Sequence, residues 1–226
     1  PGTGARRSWT RRVPLAMSEV HRFPLARAQA PRPRPDLPAL LASRILHDLV
    51  SPLGAIGNGV ELLQLTGPSS PEMDLIAESV AAASARIRFF RVALGAAAPG
   101  QAVSRAEVTG TLSAVSRGGR LSYDWEAPGD QPRAEVRAVF LLLMCLETAM
   151  PQGGHVRVGR DGPAWVVAGE GPGLRVDEAL WQGMQSRGRG PEGAALVQFV
   201  LLPDALAEMG RPLALKLAPD RIAARF

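Results

Sequence analysis

Apolar residues in the first third of the chain recur at helical steps. Ile45, Leu49, Pro52, Leu53, Ile56, Val60 and Leu63 follow at intervals of three and four, and at helical pitch they fall within an arc of about 100°. This predicts an amphipathic helix over about 38–66, entered at Asp36-Leu37-Pro38 with Asp36 as N-cap and Pro38 in the first turn. Thr66-Gly67-Pro68-Ser69-Ser70-Pro71 stops it. A second, Ala-rich helix runs from 72 to about 97, without an internal glycine before Gly95. The two make a helical hairpin, which Ala98-Pro99-Gly100 closes at what reads as a domain boundary.

Beyond it the pattern is mixed. A helix near 105–116 and a strand of alternating polarity over 120–126 precede a strongly apolar helix over 134–149. After a turn at 151–154 come two short strands, 155–159 and 164–168, joined at Asp161-Gly162, a hairpin signal. A loop rich in Gly and Arg lies between Gly183 and Gly193. An apolar helix near 193–209 follows, with Pro203 inside it as an expected kink, and strands near 212–217 and 221–226 end the chain. The fold class is α+β: a helical hairpin followed by a sandwich with helices on one face of an antiparallel or mixed sheet. The expected organisation is a tail over 1–35, the hairpin over 36–98 and the sandwich over 104–226.

Composition changes this picture little. At 46% hydrophobic residues in 226, the chain can build a core, and its one cysteine, Cys145, excludes an intrachain disulfide framework and a multi-thiolate zinc site. A reducing cytoplasm is the expected setting. The longest apolar run, 138–146, is half of the roughly 18 residues that a membrane-spanning helix needs, so no membrane partner is expected.

Charge has to be located before it is interpreted. Residues 1–35 hold eight arginines against one acid, a net +7, whereas the remainder holds 18 basic and 20 acidic residues, a net −2. All the net basicity is in a tail that alternates Pro and Arg over 31–35, which favours an extended, unpacked chain. A nucleic-acid adaptor acting through that tail is a competing reading, opposed by the acidic remainder. Met17, before Ser18-Glu19, is a possible start codon, and no targeting peptide is evident.

Candidate chemistry sits on the first helix. His47 lies roughly 175° from the centre of the apolar stripe, and Ser51, Gly54, Asn58 and Glu61 share its side by the same count. An isolated histidine is ordinarily a packed or solvated residue, but here Asp48 follows at once and Pro52 sits inside the helix, at a cost of about 3 kcal/mol. Gly54, Gly57 and Gly59 weaken it by roughly 0.5–1 kcal/mol each and leave its surface bare for another protein. Stability has been given up along this helix, which points to function there.

The string Arg44-Ile45-Leu46-His47-Asp48-Leu49-Val50-Ser51-Pro52-Leu53-Gly54-Ala55-Ile56-Gly57-Asn58-Gly59 resembles the phosphoacceptor helix of histidine kinases. More closely, it is similar to the ChpT family of alphaproteobacterial histidine phosphotransferases, a likeness that covers about 37–226. The resemblance implies a dimeric four-helix bundle built from two hairpins, followed by a degenerate, Bergerat-like α/β sandwich. His47 is then the phosphoacceptor and Asp48 the orienting or proton-accepting carboxylate, with a surface ion pair to Arg44 as the alternative for Asp48. Arg44, Ser51, Gly54, Asn58 and Glu61 become candidates for the receiver footprint. The implied partners are a second copy of the chain, the receiver domain of a CckA-like hybrid kinase and CtrA- and CpdR-like response regulators, in cell-cycle control.

The same resemblance makes the second half comparable with a kinase ATP-binding domain, and the nucleotide boxes fail. Leu141 and Cys145 stand where the kinase helix carries its asparagine, and neither is an oxygen ligand for Mg²⁺. Gly169-Glu170-Gly171-Pro172-Gly173 matches an Asp-x-Gly-x-Gly box with Gly169 in place of the adenine-binding Asp. A phosphate-cradling role for Gly188-Arg189-Gly190-Pro191-Glu192-Gly193 rests on composition alone. No ATP and no resident cofactor are expected, the Mg²⁺ coming with the partner receiver. An ATP-dependent histidine kinase and a receiver-binding scaffold or inhibitor remain as alternatives.

Overall fold

The computed structural model describes residue 56 and residues 71–95, 97, 100–186 and 193–226. Helix α1 (Pro71–Leu94) leads into a short strand β1 (Ala102–Val103), helix α2 (Arg105–Gly118), strand β2 (Leu121–Trp125), strand β3 (Gln131–Pro132) and helix α3 (Arg133–Ala149). Strands β4 (Gly154–Asp161) and β5 (Ala164–Glu170) follow, then helix α4 (Glu178–Ser186), a 3₁₀ turn (Ala194–Leu196), helix α5 (Gln198–Glu208) and strands β6 (Ala214–Ala218) and β7 (Arg221–Arg225). No described helix is long and apolar enough to cross a membrane.

The main sheet has the order β2-β4-β5-β7-β6. Its β2–β4 pair is parallel and the rest antiparallel, so the α+β class with a mixed sheet holds. The parallel pair requires a crossover, which α3 supplies. The tight hairpins are β4–β5 and β6–β7. In the first, Asp161 pairs with Ala164 and Gly162 takes a positive φ of 58°, which glycine adopts without strain.

Three sequence expectations are corrected. The loop expected from Gly183 onward begins later, because α4 runs through Gly183 to Ser186; Leu180, Trp181 and Met184 lie at helical steps and Trp181 is buried. The apolar helix expected over 193–209 is a 3₁₀ turn, with Gly193 at φ 138° as its N-cap, followed by α5. Helix α1 ends at Leu94 rather than 97. There the Arg91 carbonyl accepts a hydrogen bond from the Arg133 guanidinium at 2.7 Å. A Cβ at Gly95 would sit 2.3 Å from that carbonyl oxygen and 2.9 Å from the guanidinium nitrogen, so glycine makes room for the cap.

One core joins all layers. Inner-face residues Leu121, Trp125, Val156, Val158, Trp165, Val167, Ile222 and Ala224 are buried against α3, whose 138–146 run is buried throughout. Each fully buried leucine contributes roughly 1.5–3 kcal/mol. The C-terminal half of α1 belongs to the same core through Phe89, Phe90, Val92 and Ala93, with the Phe89 and Phe140 ring centroids 4.9 Å apart. At the N-terminal end of α3, Glu135 accepts hydrogen bonds from Arg160, Arg211 and the Trp165 indole, tying helix, sheet and the segment after α5 together. Helix α2 is opened by Ser104, whose hydroxyl accepts from the Glu107 backbone N–H in a Ser-x-x-Glu arrangement.

Candidate functional site

The predicted phosphoacceptor His47, with Asp48, Arg44, Ser51, Gly54, Asn58 and Glu61, lies outside the described residues. Ile56 is the one described residue of that helix. It is helical and partly buried, in keeping with its place in the apolar stripe.

Of the positions matched to a nucleotide site, Leu141, Cys145, Gly169, Gly171 and Gly173 are described. Leu141 and Cys145 point into the core and are completely buried, and burial pushes the Cys145 thiol well above its usual range. Across the inner face of the sheet, Gly169 stands in a row with Val156 and Ile222. It is the one position of that row without a side chain. Met150 and Leu146 occupy the space: a Cβ at Gly169 would lie 2.9 Å from the Met150 sulfur and 3.1 Å from Leu146 Cδ2. The Met150 methyl also reaches under Gly154 and Gly171, where a Cβ would come within 2.5 and 3.2 Å of it. Gly173 is covered by the Gln152 amide. The carboxylate that would read an adenine amino group is replaced by glycine, and the space a side chain there would take is occupied by Met150, which is 1% exposed. Of the Gly- and Arg-rich loop, only Gly193 is described.

A second constellation escaped the sequence reading. Arg86 on α1 donates two hydrogen bonds of 2.8 Å to the two carboxylate oxygens of Glu147 on α3. The Tyr123 hydroxyl on β2 donates to the same carboxylate at 3.1 Å. The guanidinium lies over the Phe90 and Phe89 rings, 4.7 and 5.2 Å from their centroids. Both charged side chains are about four-fifths buried. The Tyr123 hydroxyl is pushed far above the usual tyrosine range, first by burial, then by the Glu147 charge and its hydrogen bond, with Arg86 opposing. The sequence carried a weak signal, a lone acid near the end of an apolar helix, but its partners lie 61 and 24 residues away.

On the outer face of the sheet, His155 pairs through Nε2 with Asp124 at 3.0 Å and through Nδ1 with Ser122 at 2.8 Å. This trio lacks the enclosure a nucleophilic triad needs, since the imidazole is 42% and the carboxylate 60% exposed. It is one of several cross-strand polar pairs there, with Glu170 set between Arg157 and Arg221, and Asp161 beside Arg225.

A helix clamped onto an α+β sandwich whose would-be nucleotide position is plugged describes a phosphotransfer protein better than a kinase. Comparison with known proteins supports a histidine phosphotransferase. Residues 105–221 match the histidine phosphotransferase C-terminal domain family. Protein phosphotransferase ChpT of Brucella abortus (strain 2308) is 37% identical over 147 residues, which cover 62% of this chain and 70% of that protein. A solved bacterial phosphotransferase superimposes with a TM-score of 0.72 at 30% identity, over 89% of this chain and 98% of the other. The chain belongs to the histidine phosphotransferase family and is of the ChpT type.

Proposed function

We propose that the chain relays a phosphoryl group between receiver-domain aspartates through phospho-His47. The observation that carries this reading is the His47-Asp48-x-x-Ser51-Pro52 string in a phosphotransferase whose nucleotide position is occupied by Met150 and Leu146. With glycine in place of the adenine-reading carboxylate and Met150 packed over it, the phosphoryl group on this reading comes from another phosphoprotein rather than from ATP.

In the forward step a ring nitrogen of His47 attacks the phosphorus of a receiver's phospho-aspartate in line. A P–N bond forms, the acyl P–O bond breaks, and the aspartate leaves as its carboxylate. Asp48 holds the proton on the other ring nitrogen and offsets the positive charge of the phosphorylated imidazole. A carboxylate oxygen of the second receiver then attacks the same phosphorus and the P–N bond breaks, which restores the imidazole. Imidazole suits the task because its usual pKa, about 6.5, leaves it largely neutral at pH 7. Catalysis then consists of holding donor, histidine and acceptor in line. The Mg²⁺ that neutralises the phosphoryl oxygens belongs to the receiver.

The chain acts as a homodimer, its two hairpins forming a four-helix bundle. Support comes from α1: the exposed large hydrophobics among the described residues, Leu75, Val80 and Ile87, all lie on it, and Val80 and Ile87, seven residues apart, share a face. The setting is the cytoplasm, the partners a CckA-like hybrid kinase receiver and CtrA- and CpdR-like regulators. The sandwich serves as a protein-docking surface, and Arg44, Ser51, Gly54, Asn58 and Glu61 form the footprint on the hairpin.

The test is incubation with a phosphorylated receiver followed by detection of acid-labile, base-stable phosphate on the chain. His47→Ala is expected to stay folded and dimeric and to lose relay between two receivers entirely. Relay that survives this substitution overturns the proposal.

A further inference from the structure

We infer that Arg86, together with Glu147 and Tyr123, is a positioning residue for phosphoryl transfer, locking the sandwich at one attitude on the phosphoacceptor hairpin. The inference rests on the relay proposed above and adds a residue set that the reading does not otherwise use.

The geometry is that of a lock rather than of a surface ion pair. Both guanidinium N–H groups meet both carboxylate oxygens at 2.8 Å. The planar fork tolerates little rotation, unlike the single contact a lysine would make. Tyr123 fixes the carboxylate from the sheet side, and Phe90 and Phe89 hold the guanidinium from the helix side. Three elements, α1, α3 and β2, are thereby held at one point in a fixed relation.

Stability alone does not call for this arrangement. Phe89, Phe90, Val92 and Ala93 already bury α1 against the core. Apolar side chains of similar volume in place of a buried ion pair are often neutral or stabilising. What the pair adds is direction: an apolar contact permits sliding and rolling of one helix on the other, whereas a bidentate pair does not.

The lock also sits where α1 leaves the core. On its C-terminal side Phe89, Phe90, Val92 and Ala93 join the main core; on its N-terminal side Ser79, Ala83 and Ala85 are buried outside that core cluster, and Leu75, Glu78, Val80, Ala81 and Ala82 are exposed. A shift of about 1 Å at a reacting centre costs on the order of 100-fold in rate. A receiver that touches both the hairpin and the sandwich is placed in line only if the two keep a constant relation.

The experiment uses the full chain with two phosphodonors: a phosphorylated receiver, which must dock, and phosphoramidate, a small donor that needs no docking surface. For Arg86→Met we expect kcat for receiver-fed transfer to fall roughly 10–100-fold. KM should change little, labelling of His47 by phosphoramidate should stay within about twofold, and the far-UV spectrum should be unchanged. Arg86→Lys, which keeps the charge and loses the fork, should recover only part of the rate. Tyr123→Phe, a milder change that keeps the test open should Arg86→Met not fold, should slow only the receiver-fed arm. An unaltered receiver-fed kcat in the folded variants overturns the inference, as does an equal loss in both arms, which assigns the lock to folding. If phosphoramidate fails to label His47 in the unsubstituted chain, it is the relay reading that falls.

Discussion

At the residue scale, two buried positions carry opposite lessons. Gly169 matters for what it lacks. Restoring the carboxylate with Gly169→Asp would drive it into the Met150 sulfur and Leu146, so the variant should lose about 1–3 kcal/mol from overpacking, with the burial of a charge added. Urea unfolding would measure the loss, and titration calorimetry should still find no ATP binding. Tight nucleotide binding by this variant would falsify the filled-site reading. Tyr123 matters for what it retains. Its folded-state pKa lies above that of a free tyrosine, about 10. Below that pH both folded and unfolded chains hold the proton; above it only the folded chain does. Stability should therefore be lost as pH rises past about 10. Tyr123 is the chain's only tyrosine, so tyrosinate absorbance should appear together with loss of near-UV dichroism rather than before it. Tyr123→Phe should flatten the alkaline fall in Tm. The sequence showed Gly169 out of place but not the side chains beneath it, because the Met150 plug depends on a register between α3 and β5 that no local pattern encodes.

At the element scale, the readable parts were those with a strong local rule. The apolar run of α3 and the β4–β5 hairpin each declare themselves within a few residues, although the hairpin turns at Gly162-Pro163, one residue past the Asp161-Gly162 signal. Helix α4 was missed because Gly183 and the glycines after Ser186 mask a short stripe of Leu180, Trp181 and Met184. Strands β1 and β3, two residues each, owe their pairing to the approach of distant segments and have no pattern of their own. Helix α1 was legible as a helix, but its two faces were not: only the structure separates Phe89 and Phe90, buried, from Val80 and Ile87, exposed. That exposed face leads to a prediction at this scale. Ile87 is 50% exposed, so Ile87→Glu should change protomer stability by less than about 0.5 kcal/mol while placing like charges across the bundle. Sedimentation should then show a monomer with an unchanged thermal transition in dilute solution. A dimer that persists in this variant would move the association elsewhere.

At the scale of the whole molecule, helix α1 and the sandwich share one core, and the Arg86–Glu147 pair spans it. Composition placed the net basic charge in residues 1–35, and the motif pointed to a candidate phosphoacceptor helix. Neither could say how the two halves meet, since that is decided by contacts between residues 61 apart. The same core encloses Cys145, the chain's single cysteine, completely buried and with its thiol held protonated. In kinetic terms that thiol is a gated reactant. A maleimide or disulfide reagent can reach it only in the moments when α3 comes away from its neighbours, so the observed labelling rate is the rate of an exposed cysteine multiplied by the open fraction. The protein thus carries its own opening meter, read by mass, against which any change to the surrounding core can be timed without adding a probe.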